Sequence, residues 1–118
     1  MPTGRQVFGA RGEGLAAAWY AERGFEVVER NWRCASGEID LVLERHGLVV
    51  FCEVKARSSD RFGSAAEAVT AAKQRRIRRS AAAYLAALNA TGQRRSRTVR
   101  FDVACVEAGV VEVIEEAF

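Results

Sequence analysis

The chain is poor in the residues that usually announce a site. It has one histidine, His46, and only three cysteines, Cys34, Cys52 and Cys105. The cysteines are odd in number and show no CxxC spacing, so no zinc cluster can be read from them. Cys52 and Cys105 lie in apolar, strand-like runs, where a cysteine is a small buried hydrophobe. His46 precedes Gly47 and reads as a turn residue rather than a base. No long hydrophobic run occurs; the strongest, Leu48 to Cys52, is far too short to span a bilayer. Met1 to Ala10 lacks the apolar core of a secretory signal, and a reducing cytoplasm is the expected compartment. There is no internal repeat, low-complexity tract or linker.

What is present fits a globular fold. The 118 residues are 49% hydrophobic and 28% charged. That length is expected to form a single domain, residues 1–118, and the apolar fraction excludes a disordered chain. Net charge is +3, unevenly spread. Residues 1–52 carry −1, residues 53–100 carry +9, and residues 101–118 carry −5. A positive block of that density favours a polyanionic partner. A solvated helix face is the plainer alternative.

Periodicity predicts a helix over Ala10 to Arg23, with Gly24 as its stop, and a strand over Phe25 to Trp32. Arg33 to Gly37 reads as a loop. Ile39 to Leu43 alternates, with Ile39, Leu41 and Leu43 on one face and Glu38, Asp40 and Val42 on the other. Leu48 to Lys55 is a second strand, joined to the first by a tight hairpin at His46-Gly47. A polar loop, Ser58 to Ser64, leads to a long helix from Ala65 to Leu88. A basic connector follows, then strands at Val99 to Val106 and Val110 to Ile114. The predicted order is αβββαββ, an α/β (α+β layered) domain with helices packed on a mixed sheet.

If His46 and Gly47 form a two-residue loop, Arg45 pairs with Leu48. Counting outward, Asp40 then stands opposite Glu53, and Glu38 opposite Lys55. Alternation places Lys55 on the same face as Glu53. Two carboxylates facing across a ladder repel, and a divalent cation such as Mg²⁺ resolves the conflict. A neighbouring lysine could stabilise charge on a phosphate. The competing reading leaves Asp40 and Glu53 exposed and paired with nearby bases, since one slip of register separates them.

Gly37-Glu38-Ile39-Asp40-Leu41 and Glu53-Val54-Lys55 resemble the split Asp…Glu-x-Lys motif of the PD-(D/E)XK nuclease superfamily, whose restriction-endonuclease-like core has the order αβββαβ. More closely, the chain resembles the YraN-like family of small bacterial proteins, related to archaeal Holliday-junction resolvases. Gly12-Glu13, Arg30-Asn31-Trp32-Arg33, Phe62-Gly63, Lys73 with Arg76, and Arg100-Phe101-Asp102-Val103 carry that likeness over nearly the whole length. The resemblance implies Asp40 and Glu53 as acids for Mg²⁺ or Mn²⁺, Glu13 assisting from the first helix, and Lys55 as the motif lysine. It implies a metal-dependent DNA endonuclease acting on branched or recombination DNA, with RNA as an alternative substrate. A homodimer and a protein partner in recombination or repair are further expectations. The alternative is a non-catalytic nucleic-acid-binding module that works through a partner.

Lys73 stands beside an apolar stripe and must reach an anion or snorkel to water. The carboxylate face, a DNA phosphate and plain solvent all remain open for it. Arg76 lies one turn away on a similar side. Arg75, Arg78 and Arg79 face outward and suit phosphate contacts. Arg57, beyond the hairpin, could reach the same groove, and Arg94, Arg95 and Arg97 could track a backbone. Asp102, polar within an apolar strand, reads as the partner of a buried arginine. Trp19, Trp32 and Tyr84 read as core.

Overall fold

His46 and Gly47 both take positive φ, 48° and 80°, so the turn between the central strands has the paired left-handed residues a two-residue hairpin needs. That turn joins β2 (Gly37–Arg45) to β3 (Leu48–Arg57), with Arg45 opposite Leu48. The computed structural model describes residues 4–57, 69–92 and 97–118, with side chains from Arg11 onward except that of Arg57. The predicted loop at Ser58 to Ser64, the Phe62-Gly63 pair and the basic residues Arg94 and Arg95 lie outside the described residues.

The remaining elements are α1 (Gly4–Glu22), β1 (Glu26–Cys34), α2 (Ala71–Ala90), β4 (Thr98–Glu107) and β5 (Val110–Ile114). The αβββαββ order is therefore observed. All five strands form one mixed sheet in the order β1-β2-β3-β4-β5, with β3 and β4 parallel and every other pair antiparallel. Several predicted boundaries move; the first helix runs Gly4–Glu22 rather than from Ala10 to Arg23. The segment Arg33 to Gly37 is mostly strand, because β1 and β2 pair down to Cys34 and Gly37. The second helix begins at Ala71 rather than Ala65, because the Thr70 side chain accepts the Lys73 N–H and caps it there.

The helices cover opposite faces of the sheet. Ala16, Ala17 and Tyr20 of α1 pack with Leu41, Leu43, Val50, Cys52 and Ala104. Ala81 and Tyr84 of α2 pack with Ile39, Val42, Val49 and Phe51. This two-sided cover explains why Leu48 to Cys52 is continuously apolar rather than alternating. Ile39 departs from the expected alternation: it joins the α2 side, while Leu41 and Leu43 face α1. The β2–β3 ladder ends at the pair Leu41–Cys52, and beyond it β2 pairs with β1 alone.

Two details anchor α1. Asp102 is fully buried and accepts hydrogen bonds from Tyr20 Oη at 2.7 Å and from the Arg100 guanidinium through both oxygens at 2.9 Å. Gly12 approaches β3 so closely that a Cβ there would sit 3.1 Å from the Ala56 Cβ. A Gly12→Val chain is expected to lose about 1–3 kcal/mol by overpacking. Urea unfolding checks this; an unchanged midpoint would mean that α1 is not seated against β3 as described. No helix among the described residues is long and apolar enough to cross a membrane.

Candidate functional site

Where β2 and β3 part, their backbone groups need other partners. The Val54 N–H finds one in the Asp40 carboxylate, donating to Oδ2 at 2.8 Å. Asp40 and Glu53, the next positions after the last ladder pair, therefore line one cleft of about 200 Å³. Gly37 and Glu38 of β2 and Lys73, Arg76 and Ser80 of α2 complete its wall. The acids are not a regular cross-strand pair, as the hairpin count had them. They flank a fork in the sheet, and Glu38 pairs with Arg33 of β1 instead of standing against Lys55.

The electrostatics follow from this crowding. Burial and then the Glu53 charge push the Asp40 carboxyl up to about 7. The Val54 N–H opposes that rise, while Glu13 and Glu38 add to it. The Glu53 side chain is only 11% exposed, and two ammonium groups address its Oε1. Lys73 Nζ lies 3.1 Å away and Lys55 Nζ 3.6 Å away. Burial, followed by the neighbouring Lys73, lowers the Lys55 amine. Burial also works against the Lys73 charge, but its contacts with Lys55 and Glu53 outweigh it and the group is raised.

Glu13 reaches the same region from the α1 side, and its charge is felt at Asp40. Its Oε2 accepts a hydrogen bond from Asn31 Nδ2 at 2.9 Å. Asn31 holds a left-handed backbone, φ 50°, inside β1, a conformation asparagine tolerates better than most residues. Sequence reasoning did not single out this orienting role; an asparagine amid strand residues was the only signal. It also missed Ser80, whose buried hydroxyl lines the cleft with no hydrogen-bond partner at bonding distance among the described residues.

The basic residues divide into two groups. Arg75, Arg76 and Arg79 are exposed on α2, and Arg76 borders the cleft. Arg78 is not free in the way its position implied: its guanidinium lies over the Phe101 ring at 4.7 Å and the Phe118 ring at 5.6 Å. The aromatic stack of Phe101 on Phe118 attracts it. Arg97 donates to Asn89 at 3.4 Å, at the far end of α2. The Arg57 backbone pairs with Glu107, its side chain lying outside the described residues. Asp102 is held in the Arg100–Tyr20 network on the other face and does not join the cleft.

Among the described residues, no three His, Cys, Asp or Glu side chains gather as a group able to hold a metal unaided. Asp40 and Glu53 offer two carboxylates, which is what Mg²⁺ commonly takes from protein when water and substrate phosphate complete its shell. The raised Asp40 carboxyl is the electrostatic mark of two acids that a cation would relieve. The donor set therefore fits a hard divalent cation shared with a phosphate.

The profile of a family described as an uncharacterised protein family, UPF0102, matches residues 12–106. A UPF0102 protein of Frankia casuarinae is 49% identical, over 86% of this chain and 83% of its own length. One from Rhodococcus jostii is 45% identical, over 95% of this chain and 96% of the relative. One from Moorella thermoacetica is 42% identical over the full length of both.

Proposed function

The chain belongs to the uncharacterised protein family UPF0102, and we propose that it is a divalent-metal-dependent DNA endonuclease. The carrying observation is one cleft at the β2–β3 fork onto which Asp40 and Glu53 both open, with Lys55 against Glu53. Asp40 and Glu53 would hold Mg²⁺ or Mn²⁺, with Glu13 close by under the hold of Asn31. A cation there supplies positive charge to the phosphate and lowers the pKa of water. Lys55, whose amine burial lowers, either stabilises charge developing on the phosphate or helps to deprotonate the attacking water. Arg76 at the cleft, with Arg75 and Arg79 along α2, would hold the backbone without reading bases.

Branched or recombination DNA is the substrate class that the likeness to junction resolvases supports. On a symmetric junction, a homodimer would place two such clefts. The chemistry is compatible with a cytoplasmic enzyme, and RNA is a competing substrate.

The test is cleavage of labelled linear, nicked, flapped and four-way DNA at low salt, with Mg²⁺, Mn²⁺ or EDTA, read on a denaturing gel. The expected result is metal-dependent cutting that falls by about 10²–10³-fold or more in Asp40→Ala, with DNA binding retained. Binding should weaken steeply with salt, because the contacts are to phosphate. A second reading, a binding module that works through a partner, is favoured by the ammonium groups that already compensate Glu53. Binding by both proteins without cleavage under any metal would select it.

A further inference from the structure

We propose that Lys73 is an internal counter-ion that the divalent cation displaces from Glu53 and that then binds the substrate phosphate, coupling metal binding to DNA binding. The inference rests on the metal-dependent reading above and concerns a residue whose role that reading leaves open.

The argument starts from position. Lys73 is the third residue of α2, after the cap at Thr70. The amino end of a helix carries partial positive charge and disfavours a cation there. Lys73 is nonetheless half-buried at that place, with its Nζ 3.1 Å from Glu53 Oε1. Glu53 is thus the anion that stabilises this ammonium, and Lys73 is the nearer of its two lysine partners.

A divalent cation on Glu53 reverses the balance. An ammonium about 3 Å from a carboxylate oxygen that also ligates a doubly charged ion meets strong like-charge repulsion in a poorly solvated cleft. Lys73 must then leave that oxygen. Its stem keeps it in the cleft, where it needs a new anion. Arg76 and the buried Ser80 hydroxyl line the same wall, and each can donate to a phosphate oxygen. A backbone phosphate held between the cation and α2 would receive Lys73 together with these two donors. The metal-free protein therefore keeps Lys73 occupied, and the metal releases it for DNA. By linkage, DNA must raise metal affinity by the same factor that metal raises DNA affinity.

The experiment measures binding rather than turnover. Mn²⁺ affinity of the DNA-free protein is determined by titration calorimetry for wild type, Lys73→Met and Arg23→Gln. Lys73→Met keeps the apolar stem. Arg23→Gln removes one charge at the end of α1, where Arg23 stacks on Trp19 away from the cleft. Lys73→Met is expected to bind Mn²⁺ about tenfold tighter than wild type, and Arg23→Gln within about twofold of it. Anisotropy of a labelled duplex should show the opposite sign: Lys73→Met binds more weakly than wild type in Ca²⁺ and equally in EDTA. A simple structural role for Lys73 would not tighten Mn²⁺. Equal or weaker Mn²⁺ binding by Lys73→Met, in a folded protein whose wild type binds the ion, overturns this proposal alone. No Mn²⁺ binding by wild type, with or without duplex, overturns the endonuclease reading and the proposal with it.

Discussion

At pH 8 in EDTA, the Asp40→Asn protein is expected to melt higher than wild type. Asp40 is held in a desolvated cleft against Glu53, which pushes its carboxyl up to about 7 in the folded protein. An unfolded chain ionises the same group near pH 3.9. The folded state therefore holds this proton more tightly, and the unfolded state binds fewer protons across the interval between the two values. Stability from protonated Asp40 is complete below about pH 4 and is lost as pH rises to about 7. Above that, the folded protein keeps a charge that burial and Glu53 both oppose. Asparagine removes the charge, and its side-chain oxygen can still accept from the Val54 N–H.

The advantage of Asp40→Asn at pH 8 should be about 2 kcal/mol, roughly 8 °C in melting temperature for a chain of this size. It should vanish near pH 4. Saturating Mg²⁺ should stabilise wild type by mass action and leave Asp40→Asn unmoved. The variant should thus gain stability while losing the proposed cleavage, as expected where a site keeps acids together for function. Melting curves for both proteins at pH 4, 6 and 8, with EDTA or Mg²⁺, decide it. Parallel behaviour across all conditions would show that Asp40 is neither strained by Glu53 nor relieved by metal.

The Asp102→Ala chain is expected to lose about 3–5 kcal/mol, the usual effect of removing one member of a buried ion pair. Asp102 accepts from Tyr20, from Arg100 through both oxygens, and from the Glu116 N–H at 3.2 Å. Without it, the Arg100 side chain, 14% exposed, keeps Glu115 at 3.4 Å as its one ion pair among the described residues, with the Phe25 ring 5.8 Å away. The Tyr20 hydroxyl, which burial holds far above its ordinary pKa, cannot answer by ionising. A domain of this kind has about 5–15 kcal/mol of stability in all, so the variant should be largely unfolded in mild denaturant. Tyr20→Phe removes the hydroxyl that donates to Asp102 but leaves the Arg100–Asp102 pair, and should lose only about 1 kcal/mol. Urea titrations of the two variants separate these values. A loss below 1 kcal/mol for Asp102→Ala would mean that the network does not join α1 to β4.

The central hairpin shows how much of this was readable in advance. His46-Gly47 is a turn that residues two apart can specify, because it depends on the positive φ that glycine permits. Once the turn is known, period-two counting places Arg45 against Leu48 and carries the ladder out to Leu41 against Cys52, beside Asp40 and Glu53. The element order followed from apolar spacing in the same local way. So did the core roles of Tyr84 and Cys52, which are buried.

Tertiary structure decided where that counting stops. The ladder ends at Leu41–Cys52, Ile39 turns to the α2 side, and Asp40 takes the Val54 N–H. Nothing in a strand's own alternation says where its neighbour departs; that point belongs to the packing of the whole sheet between two helices. The partners of the charged groups were equally non-local. Lys73 had three destinations open to it in the sequence, and only the docking of α2 on the sheet brings it to Glu53. The same docking sends Arg78 to Phe101 and Phe118, 23 and 40 residues further along the chain. Turn chemistry and periodicity act over a few residues and are written in the sequence directly. Which cation meets which carboxylate depends on segments far apart in the chain, and packing alone resolves it.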